Sequence, residues 1–111
     1  MSVDHVSQII SCLEGFRRRP QMYCGRLEVE AAVQFLNGFQ IGACAALGVD
    51  RDLSIREAVT TKRGWRWSAV HPARQMIARG LSDEEVIAEL AAIEIDFWTQ
   101  LREVRLAARS S

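Results

Sequence analysis

Three consecutive guanidiniums, Arg17, Arg18 and Arg19, stand directly before Pro20-Gln21-Met22-Tyr23-Cys24-Gly25. Arginine presents a planar fork of donors suited to carboxylates and phosphates, so this run can hold an acid of the same fold or meet an anionic partner. Pro20 forbids helix continuation and Gly25 tolerates φ > 0, which predicts a rigid, positively charged corner rather than a flexible linker. Arg19, Pro20, Met22, Tyr23 and Gly25 are accordingly expected to be structural, with Met22 and Tyr23 packed over the junction of the first two helices. Carboxylates that could answer the arginines lie near the other end. At 100° per residue Glu85, Glu89, Asp96 and Glu103 share a face, whereas Glu94 falls in the apolar sector between Ile87 and Leu101. An acid in that sector needs a cation or donors, and the corner is predicted to supply one. The acidic row reads either as a solvated face or as a binding strip for a basic partner.

The remaining reactive side chains offer less. His5 and His71 are far apart, neither sits in an HExxH or CxxC context, and no glycine-rich phosphate loop occurs. No catalytic residue, metal ligand or cofactor site is assigned, and an enzyme is not expected. Cys12, Cys24 and Cys44 are an odd number without paired spacing, and no signal segment precedes them; both observations point to a reducing cytoplasm. Trp65 and Trp67 flank Arg66, a spacing that suits either stacking on bases or an extended segment docking its rings into a core, the second being preferred.

The elements that must position these groups are helices. Val3, Val6, Ile9, Ile10, Leu13 and Phe16 form one helical face that ends near Arg18. A second helix from about Leu27 to Leu47 is apolar nearly all round, so it is expected to be central and largely buried. Ser54 with Glu57 suggests a capped short helix to about Lys62, and Pro72 opens another that ends near Arg79. Ser82 and Glu85 form a second capping box, Leu81 and Val86 a hydrophobic staple, and Val86, Leu90, Ile93, Phe97, Leu101 and Val104 the buried stripe of the last helix. These patterns predict an all-α, compact single-domain bundle of four to five helices spanning residues 1–111.

Composition sets the outer limits. A chain of 111 residues buries roughly 65% of its unfolded surface and folds without metal or disulfides. Its longest uncharged stretch, residues 31–49, contains Gln34, Asn37 and Gln40 and is broken by Gly38 and Gly42, which argues against a membrane span. Net charge is zero, yet residues 1–79 hold eleven Lys/Arg against seven Asp/Glu and residues 80–111 three against seven, giving +4 and −4. The two ends can attract one another or meet partners of opposite sign.

Arg19-Pro20-Gln21-Met22-Tyr23-Cys24-Gly25 is similar to the RPGMYIG stretch of type II topoisomerase ATPase domains, but the chain is too short for that fold and lacks its glycine-rich lid. Adding Phe35-Leu36-Asn37-Gly38-Phe39, Gly64-Trp65-Arg66-Trp67 and Ser82-Asp83-Glu84-Glu85 through Phe97-Trp98, the order resembles small helical bacterial proteins encoded beside polymorphic toxins and regarded as their immunity proteins. Departures are Gln21 for glycine, Cys24 for an aliphatic residue and a longer apolar central helix. The resemblance implies an intracellular protein that binds one cognate toxin domain and blocks it, with Glu85, Glu89, Asp96 and Glu103 as the expected contact. Two alternatives stand beside it. A nucleic-acid module would use Arg17, Arg18, Arg19, Lys62, Arg63, Arg66 and Arg74 with Trp65 and Trp67, against which the neutral net charge argues; a homo-oligomeric adaptor would use the small-residue face of the central helix.

Overall fold

A computed structural model describes residues 3–110, with side chains over 5–108. Its elements are α1 (Val3–Arg18), α2 (Gln21–Cys24), α3 (Val29–Leu47), α4 (Leu53–Lys62), α5 (Pro72–Ala78) and α6 (Asp83–Ser110), with no strand among the described residues. The all-α bundle is as expected; the count rises to six because the corner itself winds into the short α2. The described fold is compact, with a radius of gyration of 14.0 Å.

Each helix follows from its apolar spacing. In α1, Val6, Ile10, Leu13 and Phe16 recur every three or four residues and are buried, while the side chain of Val3 lies outside the described residues. In α6 two neighbouring stripes are buried: Val86, Leu90, Ile93, Phe97 and Leu101, and beside them Ile87, Ala91, Glu94 and Trp98. That double stripe lets α6 serve α1, α3, α4 and α5 at once. Val104, expected to extend the first stripe, is exposed.

The expectation of a central, largely buried second helix is corrected. Of the nineteen residues of α3 only Ala32, Leu36, Gln40 and Cys44 are buried, and Gly38, Ile41, Gly42, Ala45 and Ala46 face outward. Alanine and glycine raise hydropathy while exposing little apolar area, so their outward placement costs little. The hub is α6.

Turns obey their local chemistry. At Gly64, φ is +92°, a value that lets the chain double back so that the Trp65 amide bonds Thr60 O and the indole drops into the core. The cap of α4 is Asp52, whose carboxylate accepts the Ile55 N–H and the Ser54 hydroxyl; Ser54 and Glu57 therefore do not form the expected box. Ser82 and Glu85 do form theirs: the Ser82 N–H donates to the Glu85 carboxylate at 2.8 Å and the Glu85 N–H donates to Ser82 Oγ at 3.2 Å, and hydrogen bonding of the carboxylate by the Ser82 backbone and then its side chain holds Glu85 below the usual carboxylate range.

Candidate functional site

The predicted acid-to-base pairings are rearranged along the seam between α4 and α6. Glu94 is buried as expected, but its cation is Arg56 of α4 rather than the arginines of the corner. Arg56 Nη1 and Nη2 donate to the two oxygens of Glu94 at 2.8 and 3.2 Å, and Trp98 Nε1 donates at 3.0 Å. Both partners are withdrawn from water, at 12% and 6% side-chain exposure. The Arg56 guanidinium also lies over the Phe97 ring, 4.0 Å from its centroid. Such a node fixes the register of α4 on α6, because either group alone would be a stranded charge.

One turn-pair further, Arg63 Nε donates to Asp96 at 2.6 Å and Nη1 to Glu89 at 3.0 Å, and Trp65 Nε1 donates to Glu89 at 3.0 Å. Burial lowers the Arg63 affinity for its proton, but the hydrogen bonds and charges of Asp96 and Glu89 outweigh it and hold the guanidinium above its ordinary value. The acidic row is thus corrected as a one-signed strip. Glu89 and Asp96 are neutralised within the chain, whereas Glu85, turned to the start of its own helix, and Glu103 are exposed and, among the described residues, without an ion pair. Sequence reasoning missed Arg56 and gave Arg63 a place only in the nucleic-acid alternative. Arg63, just past the end of α4, takes both Glu89 and Asp96, which lie two turns apart on α6, while Arg56 within α4 takes Glu94.

At the corner, Tyr23 and Met22 part company. Tyr23 packs edge-on against Phe16 and Phe35, at centroid distances of 6.0 and 5.9 Å, and Phe16 stacks on Phe35 at 4.7 Å. A side chain at Gly15 would meet the Tyr23 hydroxyl at 2.5 Å, so glycine is required for this approach. Pro20 caps α2, Gly25 ends it at φ +78°, and the Cys24 thiol is aimed at the carbonyls of Pro20 and Arg26, each 3.2 Å away. Met22, expected to pack over the junction, is instead 71% exposed, because α2 is too short to bring both positions inward. Arg17, Arg18 and Arg19 are exposed, and Arg18, Arg19, Met22, Tyr23 and Gly15 line a shallow depression.

The tryptophans also separate. Trp65 is buried with Arg79 4.4 Å over its ring, whereas Trp67 is 43% exposed at the mouth of a cavity. That cavity lies between α3, α4, α6 and the strap 66–72, which Gln75 fastens through Arg66 N, Arg66 O and Val70 O. Among the described residues no helix is long and apolar enough to cross a membrane, and no group of three or more His, Cys, Asp or Glu is placed to hold a metal. Comparison with protein-family models, curated proteins and solved structures finds no match to the chain.

Proposed function

We propose that the protein is an intracellular immunity-type inhibitor that binds a cognate bacterial toxin domain, and that its contact is the α1–α2 corner rather than the acidic row. The observation that carries this reading is Met22, an apolar side chain held 71% exposed on a stiffened turn and flanked by Arg18, Arg19 and Tyr23. Methionine, tyrosine and arginine are enriched in the cores of protein interfaces, and a preorganised patch loses little freedom on binding. Its partner has an apolar projection ringed by carboxylates. The order of motifs that resembles toxin-linked proteins supports the toxin domain as that partner.

A nucleic-acid role is less well supported, since Trp65 is committed to Glu89 and cannot stack on bases. Self-association would use the apolar groove between α1 and α3 beside Gly38 and Gly42, and would appear as a concentration-dependent mass. The test is capture of the toxin domain encoded beside the protein. Met22→Ala and Arg18→Glu are each expected to weaken capture by about tenfold or more and together to abolish protection of cells, with thermal unfolding unchanged. Full protection by the double variant would remove the corner as the interface.

A further inference from the structure

The cavity under Trp67 has no part in the corner contact, and its lining points to a ligand of its own. It measures about 280 Å³, at the lower edge of the roughly 300–1,000 Å³ of small-molecule sites. Val33, Leu36, Leu90 and Ile93 make an apolar wall; Gln40, Arg51 and Arg56 stand with Glu94 at the polar end, and Arg66 with Trp67 at the mouth.

The charge inventory is one-sided. Glu94 is taken up by Arg56 and Trp98, and no ion pair is recorded for Arg51 or Arg66 among the described residues. The cavity therefore carries surplus positive charge and repels cations. Its hydrogen-bonding capacity is equally lopsided. Gln40 is only 4% exposed; its Oε1 accepts from Arg51 Nη2 at 3.3 Å, which sets the orientation of the amide, and its Nε2 is buried with no partner. Arg56 Nε is also without a partner, although its guanidinium has the Phe97 face. Gln40 has no such substitute. A buried N–H without an acceptor is costly, and native structures retain one chiefly where something else completes it. At the margin His71 adds a further donor: its Nδ1 accepts the Ala73 N–H, which in the neutral ring leaves the proton on Nε2, and desolvation lowers the pKa of the ring.

We infer that this cavity binds a small organic carboxylate, with its oxygens on Gln40 Nε2 and Arg51 and its apolar body between Leu36, Leu90, Ile93 and the Trp67 ring. A planar carboxylate matches the arginine fork, and the apolar wall asks for a hydrocarbon body that a bare inorganic anion lacks.

The full chain titrated with 3-phenylpropionate and with 4-methylpentanoate, observed through the Gln40 side-chain amide and the Trp67 indole in nitrogen–proton correlation spectra, tests this. At least one acid is expected to give saturable shifts at both groups, while 3-phenylpropanamide and inorganic phosphate give none. Arg51→Met, at an exposed position that leaves the fold intact, and Gln40→Leu, which keeps the bulk of the side chain, are each expected to weaken binding by about tenfold or more. Binding undiminished in Arg51→Met, equal binding of the amide, binding of phosphate alone, or no response to either acid up to about 10 mM overturns the assignment.

Discussion

The arginines of the corner and the pair Arg56 and Arg63 are the same chemical group put to opposite uses. Arg17, Arg18 and Arg19 are consecutive, so on a helix they fan out over some 200° and cannot all face one acidic surface of the same fold. Arg56 in α4 and Arg63 at its C-terminal cap are seven apart, about two turns, and both meet carboxylates of α6. Sequence spacing, more than charge, decides whether an arginine is consumed by the fold or left to face outward. The corner charges are further excused by position, since cations in the last turn of a helix complement its dipole.

The sharpest way to break this contrast is at Glu94. Glu94→Ala strands the Arg56 guanidinium and leaves Trp98 Nε1 unpaired, and is expected to cost about 3–5 kcal/mol in denaturant unfolding. Alanine at any one of Arg17, Arg18 or Arg19 is expected to change stability by under about 0.5 kcal/mol. Equal effects at the two places would dissolve the distinction. Arg63→Ala is intermediate: its partners are partly solvated, so about 1–2 kcal/mol is expected, with loosening of Trp65 visible as a red-shifted, more quenchable fluorescence. Gly25→Ala, at φ +78°, is expected to cost about 1 kcal/mol and, by relaxing α2, to weaken toxin capture more than stability.

The smallest effect is a pH dependence. Burial depresses the His71 pKa below the ordinary 6.5, so the unfolded chain takes up the proton first. Its contribution is complete above about pH 6.5 and declines as pH falls through the folded value. Protonation also removes the Nδ1 acceptor that caps α5. His71→Asn keeps a capping oxygen without titrating, and is expected to flatten the fall of the unfolding midpoint below about pH 6.5. An identical pH profile in the variant would show that His71 is not the group responsible.

Much of this architecture was legible because it is local. Periodicity located α1, α3 and α6, the Ser82–Glu85 box marked a helix start, and Pro20 and Gly25 marked the corner. What was lost is relational. Glu94 announced its need for a cation, but nothing within α6 says which of fourteen Lys/Arg answers it. Hydropathy favoured α3 as the centre because alanine, glycine and cysteine score as apolar, whereas centrality depends on buried volume, supplied here by Phe97, Trp98 and Leu101 of α6. Met22 and Tyr23, adjacent in the chain, diverge only once α2 is known to be four residues long.

The placement of the hub at the far end of the succession of helices has a consequence for how the protein is made. Helices α1, α3, α4 and α5 all precede α6, and each must wait for it; a bond such as that from Arg102 Nη1 to Ser7 Oγ closes a separation of 95 residues. While the ribosome is still supplying residues 83–101, Val6, Ile10 and Leu13 lack the α6 surface against which α1 chiefly packs. Synthesis at about 5–20 residues per second leaves that apolar face open for seconds, a window in which a chaperone or another nascent chain can engage it. The molecule acquires its core nearly all at once, when its last long helix emerges.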